Sequence, residues 1–323
     1  MNTRSSRSVD IIVPAYNEAE GIHTFLTQLC DNLRAINDHL GASRLINWTI
    51  IIINDGSKDE TESIIRNFQS STCRIQYIAL AANYGHQAAL WCGLRASESD
   101  ACITIDADGQ DPPEAIKGMI ESWLNGSLIV AAKRSKRIDT PAKKFTAFLF
   151  YRFITALGSN PKSNDIGDFR LMDQLARKAL LKQSSSLQYL RGQIWNLGLP
   201  ISIVSINRRG RIAGSTKYTL AKMTNLAINS ILSVNPVRGI SISIGIALLM
   251  TLINMSGIAY MLLAKALQPD LFSPGTTTLA MMILVGNLSA VMLSTLIALF
   301  TLLLFKSERG DPIYIVRSQE KIQ

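Results

Sequence analysis

Two carboxylates one residue apart, Asp106 and Asp108, with a third at Asp111, stand in the stretch Asp106-Ala107-Asp108-Gly109-Gln110-Asp111-Pro112-Pro113. Acids this close repel one another unless a proton or a cation intervenes. Hard carboxylate oxygens suit Mg2+ or Mn2+, ions that commonly share their coordination shell with a diphosphate. Two further polar clusters have a similar build. One is Pro14-Ala15-Tyr16-Asn17-Glu18; the other is Asn54-Asp55-Gly56-Ser57, followed by Lys58-Asp59-Glu60-Thr61. A strand–turn–helix junction capped by Ser57 or Asp59 would account for the second without any ligand. No GxGxxG or GxxxxGK[ST] loop is present, so neither a dinucleotide site nor a P-loop is indicated. Cys30, Cys73, Cys92 and Cys102 have no CxxC spacing and no paired histidine. They read as buried, reduced thiols, and a disulfide or zinc framework is disfavoured.

Each polar cluster closes a short apolar run. Segments 9–15, 48–54, 75–80, 101–106 and 128–133 are rich in Ile, Val, Ala and Leu and read as strands. Segments 18–38, 59–68, 87–97 and 113–124 between them read as helices. Strands and helices alternating at this spacing predict βαβ units and a mainly parallel sheet. Ligands of such sheets bind outside the carboxyl ends of the strands, which is where the acidic clusters fall.

Charge and hydropathy place the rest of the chain. The 323 residues carry a net charge of +9, only 18% charged residues and a mean hydropathy of +0.18. Part of the chain is therefore expected to avoid water. Residues 1–132 have 9 basic and 16 acidic side chains. Basic residues gather instead in 133–152 (seven against Asp139) and in 201–238 (six with no acid). Both blocks flank apolar sequence, unlike the dispersed basic residues of a nucleic-acid binder. Runs 239–264 and 279–305 contain no charge over 26 and 27 residues. At about 1.5 Å per residue each is long enough to cross a bilayer core of about 30 Å. Basic residues precede the first run and follow the second, which predicts both ends in the cytoplasm. No N-terminal signal peptide is expected, since Asp10 and strand-like sequence begin at once. The predicted organisation is a cytoplasmic domain over 1–216, a juxtamembrane helix over 217–238, two spans at about 239–264 and 279–305, and a cytoplasmic tail over 306–323. Segment 140–157, with Lys143, Lys144 and Arg152 among five phenylalanine and tyrosine residues, reads as a helix lying at the lipid surface. An ordinary helix packed on the sheet is the alternative.

Together, VPAYNE (13–18), NDGSKDET (54–61) and DADGQDPPE (106–114) resemble the inverting family 2 glycosyltransferases of GT-A fold. ANYGHQAALWCGL (82–94), GDFRLMD (167–173) and RIAGSTKY (211–218), followed by two apolar runs, narrow the resemblance to the polyprenyl-phosphate glycosyltransferases. That group includes dolichol-phosphate mannose synthase and bacterial undecaprenyl-phosphate glucosyltransferases. Gly109 departs from the leucine that many relatives carry there and leaves the acidic pair intact.

The resemblance implies a role for each matching position. Pro14, Tyr16, Glu18 and Asp55 would hold the nucleotide. Asp106 and Asp108 would reach the ribose, diphosphate and metal, with Gln110 completing the shell of Mg2+ or Mn2+. Arg134 and Arg170 would contact phosphate. Arg211 and Lys217 would meet the lipid phosphate or the donor diphosphate. Asp168 would act as base or orient the nucleophile, with a structural salt bridge to Arg170 as its competitor. His86 reads as a helix-terminal or nucleotide contact rather than a catalytic group. The implied reaction moves a sugar, glucose from UDP-glucose as first choice, onto polyprenyl (undecaprenyl) phosphate at the bacterial inner membrane. Its partners would be a nucleotide sugar, a polyprenyl phosphate and membrane lipid, without nucleic acid, in a homo-oligomer such as a tetramer. A GDP-mannose-dependent enzyme is the alternative. A non-catalytic scaffold or nucleotide sensor is the alternative of another class. A processive synthase is disfavoured, because Gln193-Ile194-Trp195 is not a QxxRW block.

Overall fold

β-Branched residues dominate Arg7–Ala15 (β1) and Ile46–Asn54 (β2), and in the computed structural model the two pair in parallel, with Ile11 beside Ile50 and Ala15 beside Asn54. The structure describes residues 7–41, 45–134, 166–182, 190–207 and 314–322, together with single positions between 249 and 304. Arg74–Leu80 (β3) and Ala101–Thr104 (β4) extend the parallel set on either side. Ile129–Arg134 (β5), Ile166–Asp173 (β6), Ile201–Ile206 (β7) and Val316–Ile322 (β8) complete one sheet in the order β7-β5-β6-β4-β1-β2-β3-β8.

Helices cover both faces, so the inner strands are apolar on both sides, as parallel sheets require. Ile22–Leu40 (α1), Thr61–Asn67 (α2) and Ala115–Leu124 (α4) supply buried residues to one core, with Phe25, Leu29, Ile65, Met119 and Trp123 against Ile11, Ile50 and Phe169. His86–Ala96 (α3), Gln174–Lys182 (α5) and Leu190–Asn196 (α6) build the other around Ile12, Ile53, Trp91, Leu94, Met172 and Leu180. α3 lies very close to the sheet. A Cβ on Gly93 would stand 2.3 Å from Ile12 Cγ2 and 2.8 Å from Ile53 Cδ1, so only glycine fits. The four cysteines are buried as thiols.

The α/β architecture agrees with the expectation, and five strands and four helices fall close to the predicted segments. The sheet is mainly parallel, as expected, and three of its strands, β6, β7 and β8, lie outside the predicted segments. β6 runs antiparallel to both β4 and β5. Residues 306–323, expected as a tail, contain β8, which pairs antiparallel with β3 from Ile75↔Ile322 to Ala79↔Ser318. Its mostly polar and charged sequence, VRSQEKI, hides it, and the open edge of β3 recruits it.

The chain divides into two units, Met1–Val234 with Pro312–Gln323, and Asn235–Asp311. Within the second unit the described positions are helical apart from Gly275, and several of its large apolar side chains, among them Leu252, Leu263, Ile283 and Ile297, are exposed. Among the described residues no helix is long and apolar enough to cross a membrane. Most of 239–264 and 279–305, and all of 140–157 and 208–238, lie outside the described residues.

Candidate active site

The parallel strands β1, β2 and β4 are neighbours in the sheet, so the clusters that follow them meet along one edge. The chain leaves β3 and returns on the far side of β1 as β4. The β1–β4 junction is therefore the switch point at which such sheets open a crevice.

The turn after β1 is held by the turn after β2. Asn17 has a left-handed backbone (φ 53°). Its N–H donates to Ser57 Oγ at 3.0 Å, while its Oδ1 accepts the Lys58 N–H at 2.8 Å. The Glu18 N–H donates to Thr61 Oγ1 and the Ala19 N–H to Asp59 Oδ2. Thr61 in turn donates its hydroxyl and its N–H to Asp59 Oδ1. Burial raises the Asp59 carboxyl, but these hydrogen bonds outweigh it and hold the group below its ordinary value. Pro14 is buried in β1 and Tyr16 is half-buried just after it. Neither Ser57 nor Asp59 caps α2, whose N-cap position is Glu60 without a side-chain cap; the two side chains instead tie the turns after β1 and β2 into one loop over the sheet edge.

Asp55 is only 2% exposed. Its carboxylate accepts the backbone N–H groups of Tyr84 (2.8 Å) and Gly85 (2.9 Å), and Asn83 Nδ2 donates to its carbonyl at 3.2 Å. Burial pushes the Asp55 carboxyl above its ordinary value, against the pull of those two N–H groups and of His86. Each oxygen thus accepts one N–H of the loop before α3, and Asp55 thereby holds the wall of the site.

The residues after β4 sit opposite β6. Thr104 pairs with Arg170, and continuing the antiparallel register two residues brings Asp106 alongside Asp168. The Thr104 hydroxyl donates to the Asp168 carbonyl. Between the two acids stands His86, the first residue of α3. Its Nε2 lies 3.5 Å from Asp106 Oδ1 and 3.4 Å from Asp168 Oδ2. Gln87 Nε2 donates to Asp168 Oδ2 at 3.4 Å, and Gln87 Oε1 accepts the Leu190 N–H. Asp168 Oδ1 accepts Arg170 Nη2 at 3.1 Å.

One expectation changes here. Arg170 is 2% exposed and also donates to the Gly167 carbonyl at 2.6 Å. It is enclosed beneath Asp168, where it supports that carboxylate rather than meeting a phosphate. The cause is the period of a strand: residues 168 and 170 share one face of β6 and stand side by side. The salt bridge proposed as a competitor to the role of Asp168 is present, while the other oxygen of Asp168 faces His86. His86, expected as a helix-terminal or nucleotide contact, does open α3 and in addition faces both acids. Gln87 is the site residue that the sequence does not mark.

Asp108 lies in a turn made possible by Gly109 (φ 69°), and its Oδ1 accepts the Gln110 N–H at 3.0 Å. Among the described residues no three His, Cys, Asp or Glu side chains gather into a cluster able to hold a metal ion. Two carboxylates at a strand end nevertheless fit a divalent ion that takes its remaining ligands from a diphosphate, the usual habit of Mg2+. Arg134 ends β5 beside Ile206. Arg211 and Lys217 lie outside the described residues.

Residues 10–182 match the glycosyl transferase family 2. The chain is 33% identical to the uncharacterized glycosyltransferase YkcC of Bacillus subtilis over 97% of its own length and 94% of that protein. It is 36% identical to the prophage bactoprenol glucosyl transferase homolog of Escherichia coli, covering 70% of this chain and 71% of the other. The bactoprenol glucosyl transferase of Shigella phage SfV is 33% identical over the same shares. Among solved structures, glucosyl-3-phosphoglycerate synthase from Mycobacterium tuberculosis aligns over 70% of this chain and 78% of its own at 19% identity, with a TM-score of 0.49.

Proposed function

The chain belongs to glycosyl transferase family 2 and is a glycosyltransferase, and on that footing we propose that it transfers glucose from UDP-glucose to a polyprenyl phosphate, with inversion, at the cytoplasmic face of the bacterial inner membrane. The observation that carries this reading is the approach of Asp106 and Asp168 to one His86 nitrogen at the strand ends, with Asp108 two residues beyond Asp106 in the turn that follows. The relatives named bactoprenol glucosyl transferases support the choice of acceptor and of glucose. The two uncharged runs, 239–264 and 279–305, and their exposed apolar helical positions support membrane anchorage.

Asp106 and Asp108 would hold Mg2+ or Mn2+, which supplies positive charge to the departing diphosphate. The loops after β1 and β2 close over the nucleotide, tied together through Asn17, Ser57, Asp59 and Thr61. A phosphate acceptor is already anionic near neutral pH, so the chain's chief tasks are to position it and to offset its charge. Asp168, backed by Arg170 and His86, orients the acceptor. The basic blocks at 133–152 and 201–238, including Arg134, Arg211 and Lys217, draw the lipid phosphate toward the site.

The test is a panel of UDP- and GDP-sugars presented to the full-length protein with undecaprenyl phosphate and Mg2+ or Mn2+, the glycolipid being read by mass. A hexosyl lipid formed from UDP-glucose is expected. A product from GDP-mannose instead would replace the donor assignment, and no lipid-linked sugar from any donor would overturn the reading. Asp108→Asn is expected to lower kcat by about 100-fold or more.

A further inference from the structure

We infer that His86 is a positioning residue that couples the donor side of the site to the acceptor side by bridging Asp106 and Asp168. The inference deepens the reading above and rests on it.

The place of the imidazole is set by the donor side. The loop leading into α3 is pinned by Asp55, which accepts the N–H groups of Tyr84 and Gly85. Gly85 has φ 93°, a conformation that turns the chain directly into the helix. His86 therefore starts α3 at a location dictated by the end of β2. From there Nε2 reaches Asp106 at 3.5 Å and Asp168 at 3.4 Å, and one nitrogen serves two acids.

Exposure gives the bridge a direction. The side chains of His86 and Asp106 are 38% and 29% exposed, whereas that of Asp168 is 2% exposed. The open end thus lies where the donor would bind, and the closed end lies at the carboxylate assigned to the acceptor. Asp168 Oδ1 is engaged by Arg170, while Oδ2 faces His86 and Gln87. Arg170 sets the carboxylate from behind, and His86 sets the oxygen nearest the reaction. Removing the imidazole takes away a contact shared by the two acids and leaves Asp106 and Asp168 to repel each other across the gap. A displacement of about 1 Å at such a group is enough to lower a rate about 100-fold.

The experiment compares full-length wild type, His86→Ala, His86→Gln, Asp168→Asn and the double variant His86→Ala/Asp168→Asn. His86→Ala is expected to lower kcat by about 100-fold with little change in donor KM. His86→Gln, which keeps an N–H donor, is expected to recover much of the loss. Adding His86→Ala to Asp168→Asn should cost little more than Asp168→Asn alone, because groups that act as a unit are not additive. A raised donor KM at unchanged kcat would make His86 a nucleotide contact and overturn the inference. So would losses that multiply in the double variant. A measurement independent of transfer keeps the two readings apart: ring-nitrogen NMR of the three labelled histidines, with His86 assigned through His86→Gln. Asp106→Asn and Asp168→Asn should each shift the His86 signal. If neither does, the bridge is absent even in an active enzyme. If both do and no donor supports transfer, the proposed function fails while the bridge stands.

Discussion

At Gly56 the backbone is left-handed (φ +67°), and a Cβ there would stand 2.6 Å from the Ala82 carbonyl carbon and 2.7 Å from the Asn83 nitrogen. Both neighbours are main chain, in the loop that Asp55 holds, so neither can rotate away. Gly56→Ala is expected to destabilise the protein by about 2 kcal/mol through backbone strain and overpacking, read as a lower thermal midpoint of the full chain in detergent. An unchanged midpoint would mean that the loop at 82–85 is free to shift. The acids of the site were readable one by one: Asp55, Asp106 and Asp108 end apolar runs, and Asp168 sits in a recognisable block. Their division of labour was not. The enclosure of Arg170 and the backbone duties of Asp55 depend on which face and which neighbouring loop each side chain meets, and local spacing does not encode that.

Among the elements, β8 does the most to alter the predicted domain. Its Arg317 donates to Glu62 Oε2 at 2.6 Å, and its Glu320 pairs with Arg66, which also bonds Glu62 at 3.1 Å. Arg66 lies 4.9 Å above the Tyr77 ring, and the Tyr77 hydroxyl accepts Asn54 Nδ2 at 2.8 Å. The Ala81 N–H reaches the Ile315 carbonyl. The terminal strand is thus linked to the turn after β2. Burial raises the Glu62 carboxyl, but the hydrogen bonds from Arg317 and Arg66 outweigh it and hold the group below its ordinary value of 4.5. An acid depressed in the folded state stabilises the fold above its unfolded pKa and loses that contribution as pH falls through the folded value. The thermal midpoint should therefore drop below about pH 4.5, and Glu62→Gln should both lower it near neutrality and flatten the acid limb. The loss near neutrality should be about 1 kcal/mol at most, since these pairs meet water. An acid limb identical in wild type and variant would show that the pairs do not hold the strand. Helices α1 to α4 and strands β1 to β5 were legible because hydrophobic periodicity and polar strand ends mark them. β6 and β8 were not, since an antiparallel insertion and a charged edge strand are stabilised by the strand they join.

Over the whole molecule, the charge of +9 separates into an acidic region at 1–132 and basic blocks at 133–152 and 201–238. Hydropathy concentrates in 239–264 and 279–305. If these runs span the bilayer as proposed, alkaline carbonate leaves the protein in the membrane pellet and detergent releases it. Release by carbonate would assign 239–305 to a fold surrounded by water. The unit Asn235–Asp311 lies in the chain between two parts of the other unit, so the catalytic unit is joined to it through both ends, whereas an appended anchor would need only one. By itself the sequence determined the fold class, the acidic strand ends, the family and the split of charge from grease, because each is carried by residues near one another in the chain. Tertiary structure decided that Asp106 faces Asp168 across His86, that Arg170 lies beneath them, and that the terminal segment closes the sheet. Those contacts join residues far apart in sequence, and only strand register and the packing of α3 on β1 and β2 set their distances.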